Sequence, residues 1–152
     1  MTALFEHSPW VEQRADAAPS SGDRHADLMR VVYAASPEEQ LALIRAHPEL
    51  AGKAGVDGTL TQASTAEQAS AGLDRLTEEE FERFHALNAA YTQAHHMPFI
   101  ICVRLTNKAG ILAAMEARIA QDTPTEIATA LAEIGKITQL RLKDMGPKEQ
   151  GQ

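Results

Sequence analysis

The sequence holds a single cysteine, Cys102, in 152 residues. It can form no internal disulfide, and zinc sites built on cysteine pairs are excluded. Aromatic residues make up only 5%, too few for a β-sandwich core, which draws on Val, Tyr and Phe. No apolar run approaches the roughly 20 residues that cross a bilayer, so no membrane partner is expected. The start, Met1 to Glu12, lacks a basic stretch followed by an apolar one. The end, Lys148-Glu149-Gln150-Gly151-Gln152, is not a peroxisomal Ser-Lys-Leu signal. With a lone thiol that suits a reducing compartment, the expected localisation is cytoplasmic. Positive charge is also scarce: 14 Lys and Arg stand against 21 Asp and Glu, for a net charge of −7. An acidic surface repels phosphate backbones, so nucleic acid is not an expected partner. A small anionic ligand stays open, because the local charge of a pocket can differ from the global one. Ala51-Gly52-Lys53-Ala54-Gly55 is glycine-rich but has neither a preceding strand nor a Gly-Lys-Ser/Thr ending, and there is no Gly-x-Ser-x-Gly nucleophile elbow.

What is present is an apolar fraction of 44% and a charged fraction of 23%, close to the average for globular proteins. With so few aromatics the core must rest on Ala, Leu and Ile, which favours closely packed helices. We therefore expect residues 1–152 to form one all-α domain, a single helical bundle. Asp27 to Ala35 is helical, with Leu28, Val31 and Val32 as its apolar positions. Ser36-Pro37 with Glu39 three residues after the serine signals the next helix start. That helix carries Leu41, Leu43 and Ile44 and meets His47-Pro48. The residue before a proline is pushed out of helical geometry, so His47 should sit at a helix end. Gly52 to Gln62 reads as a loop. Ser64-Thr65-Ala66-Glu67 has the pattern of a capping box, opening a helix through Ala71, Leu73 and Leu76. Thr77-Glu78-Glu79-Glu80 repeats the signal before Phe81, Phe84, Leu87, Asn88 and Tyr91. Met97-Pro98 ends that helix. Phe99 to Val103 is an apolar run with no second good strand to pair with, read as a buried extended or helical segment. Asn107 to Ala120 is the next helix. Thr123-Pro124 opens the last, where Ile127, Leu131, Ile134, Ile137 and Leu140 recur at helical steps.

Among residues able to do chemistry, His95 and His96 are adjacent, so on a helix their side chains diverge and do not make the i, i+4 pair of a zinc helix. We expect no metal site, and read these histidines as solvated or capping groups. His47, Glu67 and Arg104 are left. Read singly, His47 is a helix-end cap, Glu67 the partner in a capping box, and Arg104 a surface or structural ion-pair residue. Composition and periodicity lead to a helical domain and stop there.

Read together, the segments carry a resemblance. Ala46-His47-Pro48-Glu49-Leu50-Ala51-Gly52-Lys53 resembles the His-Pro-x-Leu-Ala/Gly-x-Lys signature of the OHCU (2-oxo-4-hydroxy-4-carboxy-5-ureidoimidazoline) decarboxylases. Ser64-Thr65-Ala66-Glu67-Gln68, followed by Ala71-Gly72-Leu73, is similar to that family's Ser-x-x-Glu-Gln-x-x-Ala-Gly-Leu. Asn88-x-x-Tyr91 and Pro98-Phe99-Ile100-Ile101-Cys102-Val103-Arg104 resemble its Asn-x-x-Tyr and Pro-Phe-Ile-x-x-x-Arg blocks. Glu133-Ile134, Ile137 and Arg141-Leu142 resemble its closing helix, and Phe5 to Val11 its opening. In one place the chain departs: His95-His96-Met97 stands where many members have aromatic-glycine-aromatic.

The resemblance implies an all-α decarboxylase that turns OHCU into (S)-allantoin in urate breakdown. It implies His47 as catalytic acid/base, assisted by Glu67. Pro48, Ser64, Gln68 and the segment Phe99, Ile100, Ile101, Cys102 and Val103 would shape the substrate site, and Arg104 would hold substrate or brace that segment. No cofactor is expected, because the substrate carries its own electron sink, a ring C=N beside the carboxylate-bearing carbon. A homodimer is compatible with the apolar helix faces. Two other readings stand beside this one: a helical binding module that kept the fold without the chemistry, and a metal-dependent hydrolase built on His47, His85, His95 and His96.

Overall fold

The computed structural model describes residue 5 and residues 8–47, 67–69, 72–73 and 76–145. Among these residues the regular structure is entirely helical. In chain order the elements are α1 (Trp10–Ala17), α2 (Arg24–Ala34), α3 (Pro37–Arg45), α4 (Glu78–His95), a 3₁₀ turn (Val103–Leu105), α5 (Lys108–Ile119) and α6 (Thr123–Met145).

Helix starts follow local side-chain chemistry. The Ser36 hydroxyl accepts from the Glu39 amide while the Glu39 carboxylate accepts from the Ser36 amide, and Pro37 takes the first helical position. Thr77 and Glu80 make the same reciprocal pair at α4. Asn107 caps α5 by accepting from the Gly110 amide. Each such cap satisfies amides that the helix leaves without a partner and contributes about 1 kcal/mol. Helix α1 lacks these signals: Pro9 precedes it with no side-chain cap, and so it escapes the sequence reading.

The longest helix, α6, packs against α2, α3 and α4, while α1 packs on α2 and α5 on α4. Ala130, Leu131, Ile134, Ile137 and Leu142 form its buried apolar stripe. Three charged side chains lie buried with that stripe: Glu126, Glu133 and Arg141. Burying a charge is costly unless it is paired and hydrogen-bonded, and all three are paired. Gly135 lets α2 come close, since a Cβ there would lie 3.1 Å from the Met29 methyl group. The imidazole Nε2 of His25 also meets the Gly135 carbonyl oxygen at 2.8 Å. The aromatic centre lies on the α4 side, where Tyr91 meets Phe99 edge-on at 5.2 Å between ring centroids.

Helix α4 ends with His96 in the left-handed region, at φ 59°, its amide bonded to the Thr92 carbonyl. A side chain costs roughly 1–2 kcal/mol in that geometry. His95 on the preceding residue is buried, its imidazole bonded to the Thr123 hydroxyl at 2.8 Å and the Arg118 carbonyl at 3.2 Å. His96 itself is exposed, so little packing is lost with it. His96→Gly is expected to raise stability by up to about 1 kcal/mol, partly offset by glycine's looser unfolded chain. Urea unfolding at constant slope measures it, and a midpoint at or below that of the parent would refute the strain.

Hydrogen-bonded carboxylates make the fold acid-sensitive. The Arg14 guanidinium, helped by the Ser36 amide, holds Glu39 down from the usual 4.5 to about 2. The Thr77 amide and Lys108 lower Glu80, and Ser21 lowers Asp27. A carboxylate whose folded pKa lies below its unfolded one stabilises the fold at higher pH, and loses that contribution as pH falls through the gap. The melting temperature should therefore be flat down to about pH 5 and decline between 4.5 and 2 for the Glu39 share. Glu39→Gln should lessen the decline; an identical pH profile in the variant would contradict it.

Candidate active site

The end of α3 places His47. The amide of His47 turns to the Ile44 carbonyl at 3.1 Å, leaving the Leu43 carbonyl without the backbone partner that a continuing helix would give it. The side chain supplies that bond: His47 Nδ1 meets the Leu43 oxygen at 3.0 Å. A carbonyl oxygen only accepts, so Nδ1 carries the proton and Nε2 is the acceptor nitrogen of the neutral ring. The imidazole is 7% exposed. One contact thus caps a helix and fixes a tautomer.

Glu67 and Gln68 stand on a helical turn at residues 67–69. That turn closes at Gly72, at φ +81°, where the Gly72 amide bonds the Ala69 carbonyl and the Leu73 amide reaches back to the Gln68 carbonyl. This pair of bonds with a left-handed glycine is a Schellman stop. The helix expected to run through Leu76 therefore ends four residues earlier, and Leu73 turns into the core.

The partner of Glu67 comes from far along the chain. Arg141 on α6 donates from Nε to Oε2 and from Nη2 to Oε1, both at 2.7 Å. The two side chains are 3% and 12% exposed for Arg141 and Glu67. A bidentate, nearly dry pair of this kind fixes both groups and holds Glu67 as an oriented carboxylate.

The far wall is residues 99–103, which lead into the 3₁₀ turn. Among the described residues they take no strand partner. Instead the Cys102 amide donates to Glu133 Oε1 at 2.9 Å, and the Ile100 carbonyl accepts from Arg118 Nη1 at 2.7 Å. Burial pushes the Cys102 thiol up from its ordinary value, with the charges of Glu133 and Glu67 adding to it, so the thiol is not an activated nucleophile. Arg104 follows on the rim, 31% exposed, its guanidinium bonded to the Asp144 carboxylate at 2.6 and 3.3 Å.

One cleft gathers His47, Glu67, Gln68, Phe99, Ile100, Ile101, Cys102, Val103 and Arg104. Every expected site residue that the structure describes is thus brought to one place. Pro48 and Ser64 lie outside the described residues, as do the Gly52 to Gln62 loop and the Ser64 half of the expected capping box. Two further residues, Ile137 and Arg141, line the cleft and were not singled out from the sequence as site residues. The signal was there: Arg141 falls on the apolar stripe of α6, four positions after Ile137, and a charged residue on a buried face needs a partner or a function. The other described histidines stand apart. His95 is held by Thr123 and Arg118, and His85 stacks on Phe81. Among the described residues no group of three or more His, Cys, Asp or Glu is placed to hold a metal.

Among the described residues, fold and cleft together define an all-helical protein with a buried histidine held at the Leu43 carbonyl, a buried carboxylate–guanidinium pair and a wall of main-chain polar groups. Residues 1–143 match the family described as OHCU decarboxylase. The chain is 42% identical over 144 residues to the 2-oxo-4-hydroxy-4-carboxy-5-ureidoimidazoline decarboxylase of Haloferax volcanii, covering 93% of this chain and 83% of that one. It is also 38% identical over 146 residues to the uric acid degradation bifunctional protein PucL of Bacillus subtilis, covering 94% of this chain and 29% of that protein. Among solved structures, the crystal structure of (S)-allantoin synthase superposes with a TM-score of 0.68 at 28% identity, over 93% of this chain and 46% of that one. The crystal structure of OHCU decarboxylase in the presence of (S)-allantoin shares the fold, with a TM-score of 0.73 at 18% identity over 93% and 94% of the two chains. The chain belongs to the OHCU decarboxylase family, and is a carboxy-lyase by that membership.

Proposed function

We propose that this chain decarboxylates OHCU to (S)-allantoin with His47 as general acid/base. The observation that carries the reading is the convergence of the tautomer-fixed His47 with the Glu67–Arg141 pair and residues 99–103 in one cleft. The substrate has a carboxylate and a hydroxyl on one ring carbon and a C=N next to it. As CO2 leaves, its bonding pair forms a C=C to the neighbouring carbon, and the C=N electrons pass to nitrogen, which takes a proton. The resulting enol then loses its hydroxyl proton and gains one at the neighbouring carbon. The net change is one proton taken up and one CO2 released. His47 Nε2 serves as the exchange point, and protonation from one side only makes the product a single enantiomer. Such help is typically worth about 10²–10⁴-fold.

Glu67 accepts the ureido N–H groups and orients them. The Leu43 carbonyl already sets the tautomer of His47, so Glu67 is not needed for that task. Arg141 holds Glu67 in place and supplies positive charge for the anionic substrate; a tighter grip on the departing carboxylate would stabilise the ground state and slow its loss. Gln68 adds a polar contact from the cleft wall, and the family resemblance implies that Pro48 and Ser64 help to shape the substrate site. Arg104, engaged by Asp144, braces the wall. The reading includes a cytoplasmic setting and a homodimer paired through apolar helix faces. No helix among the described residues is long and apolar enough to cross a membrane. Adding the purified protein to freshly generated OHCU should speed both its disappearance and CO2 release. Decay at the protein-free rate would refute the reading.

A further inference from the structure

We infer that Glu133 and Arg118 are positioning residues for the substrate: they hold the main chain of residues 100–102 so that Ile101 presents its own amide and carbonyl to the cleft. The assignment rests on the decarboxylation proposed above. In a sheet, a neighbouring strand would satisfy one edge of this segment. Here two side chains from different helices do so, Arg118 from α5 at the Ile100 carbonyl and Glu133 from α6 at the Cys102 amide. In extended backbone, the carbonyl of one residue and the amide two residues on point to the same edge, and the residue between turns its pair to the other. Cys102 is extended, at φ −78° and ψ 95°. Ile101 lies between the two anchored residues and lines the cleft, and its amide and carbonyl make no hydrogen bond to the described residues. They form a donor–acceptor pair of the kind that a flat ureide ring, with alternating N–H and C=O groups, can match.

Both anchors are themselves held. Arg118 Nε donates to Glu126 Oε1 at 2.7 Å, and the same oxygen accepts the Tyr91 hydroxyl at 2.6 Å. The Arg118 guanidinium also lies 4.3 Å from the centre of the Phe99 ring, clamping the residue that begins the wall. The second oxygen of Glu133 accepts from Lys136 Nζ at 2.6 Å. Charged groups so fixed give the segment one register, where an unpaired apolar run would have several. Neither Glu133 nor Arg118 is among the residues lining the cleft, which separates positioning from direct contact.

The test compares the parent protein with Glu133→Leu, Glu133→Gln and Arg118→Lys, using OHCU turnover and calorimetric binding of (S)-allantoin. Losing the acceptor in Glu133→Leu should raise KM by about tenfold or more and weaken (S)-allantoin binding to match. The pH profile of kcat should stay in place, because His47 is untouched. Glu133→Gln keeps an acceptor for the Cys102 amide and should recover most of that affinity. Arg118→Lys keeps the charge, loses the fork to Ile100 and Glu126, and should raise KM in the same way, which serves if Glu133→Leu does not fold. An active parent with unchanged KM in the folded variants, or a Glu133→Gln as impaired as Glu133→Leu, would overturn the assignment alone. A parent without turnover would overturn the decarboxylation reading and the assignment with it.

Discussion

His47→Ala should fold like the parent and lose about 10²–10⁴-fold in kcat, the usual share of general acid–base help. The difficulty is that His47 also caps α3 through the Leu43 carbonyl, so a dead alanine variant alone would not separate chemistry from structure. His47→Asn does. Its side-chain amide can reach the Leu43 oxygen from nearly the place of Nδ1, but has no proton to exchange near neutral pH. The proposal requires His47→Asn to keep the parent's melting temperature within a few degrees and to be as inactive as His47→Ala. If His47→Asn restored turnover, the bland role of helix cap would be the right one.

The second large effect belongs to Arg141. Arg141→Met leaves the carboxylate of Glu67, 12% exposed, without its two guanidinium hydrogen bonds in a nearly dry site. Breaking one side of a buried ion pair costs about 3–5 kcal/mol, which for a domain of this size lowers the melting temperature by roughly 6–20 °C. Activity should vanish too, because Glu67 is then no longer held in one orientation. Replacing both partners should separate the two losses. Glu67→Leu with Arg141→Met removes the stranded charge, and well-packed apolar pairs often match buried ion pairs in stability. The double variant should therefore recover most of the lost stability and none of the activity. Thermal unfolding alongside turnover tests this; a double variant no more stable than Arg141→Met would mean that Arg141 holds the fold through contacts other than Glu67.

Much of the frame was legible from short-range chemistry. Ser36 with Glu39, and Thr77 with Glu80, mark helix starts because a capping box is closed within four residues. His47 before Pro48 marks a helix end because the proline ring acts on its neighbour. What stayed hidden involved partners far apart in sequence. Gly72 stops its helix early by a left-handed turn, although the apolar spacing of Leu73 and Leu76 still suits a helix. Arg141 meets Glu67 across 74 positions, which no local spacing encodes, although its place on the buried stripe of α6 was a warning. The roles of His47 and Glu67 were likewise out of reach of periodicity. They came from ordered blocks that resemble a family, and the fold brings His47, Glu67, Gln68 and residues 99–104 of those blocks to one cleft.

The most direct measurement generates OHCU in place from urate with urate oxidase and hydroxyisourate hydrolase, adds this protein, and follows the circular dichroism of allantoin. The account predicts rapid growth of the (S)-allantoin signal, lost in His47→Ala. Slow formation of racemic allantoin at the protein-free rate would contradict it.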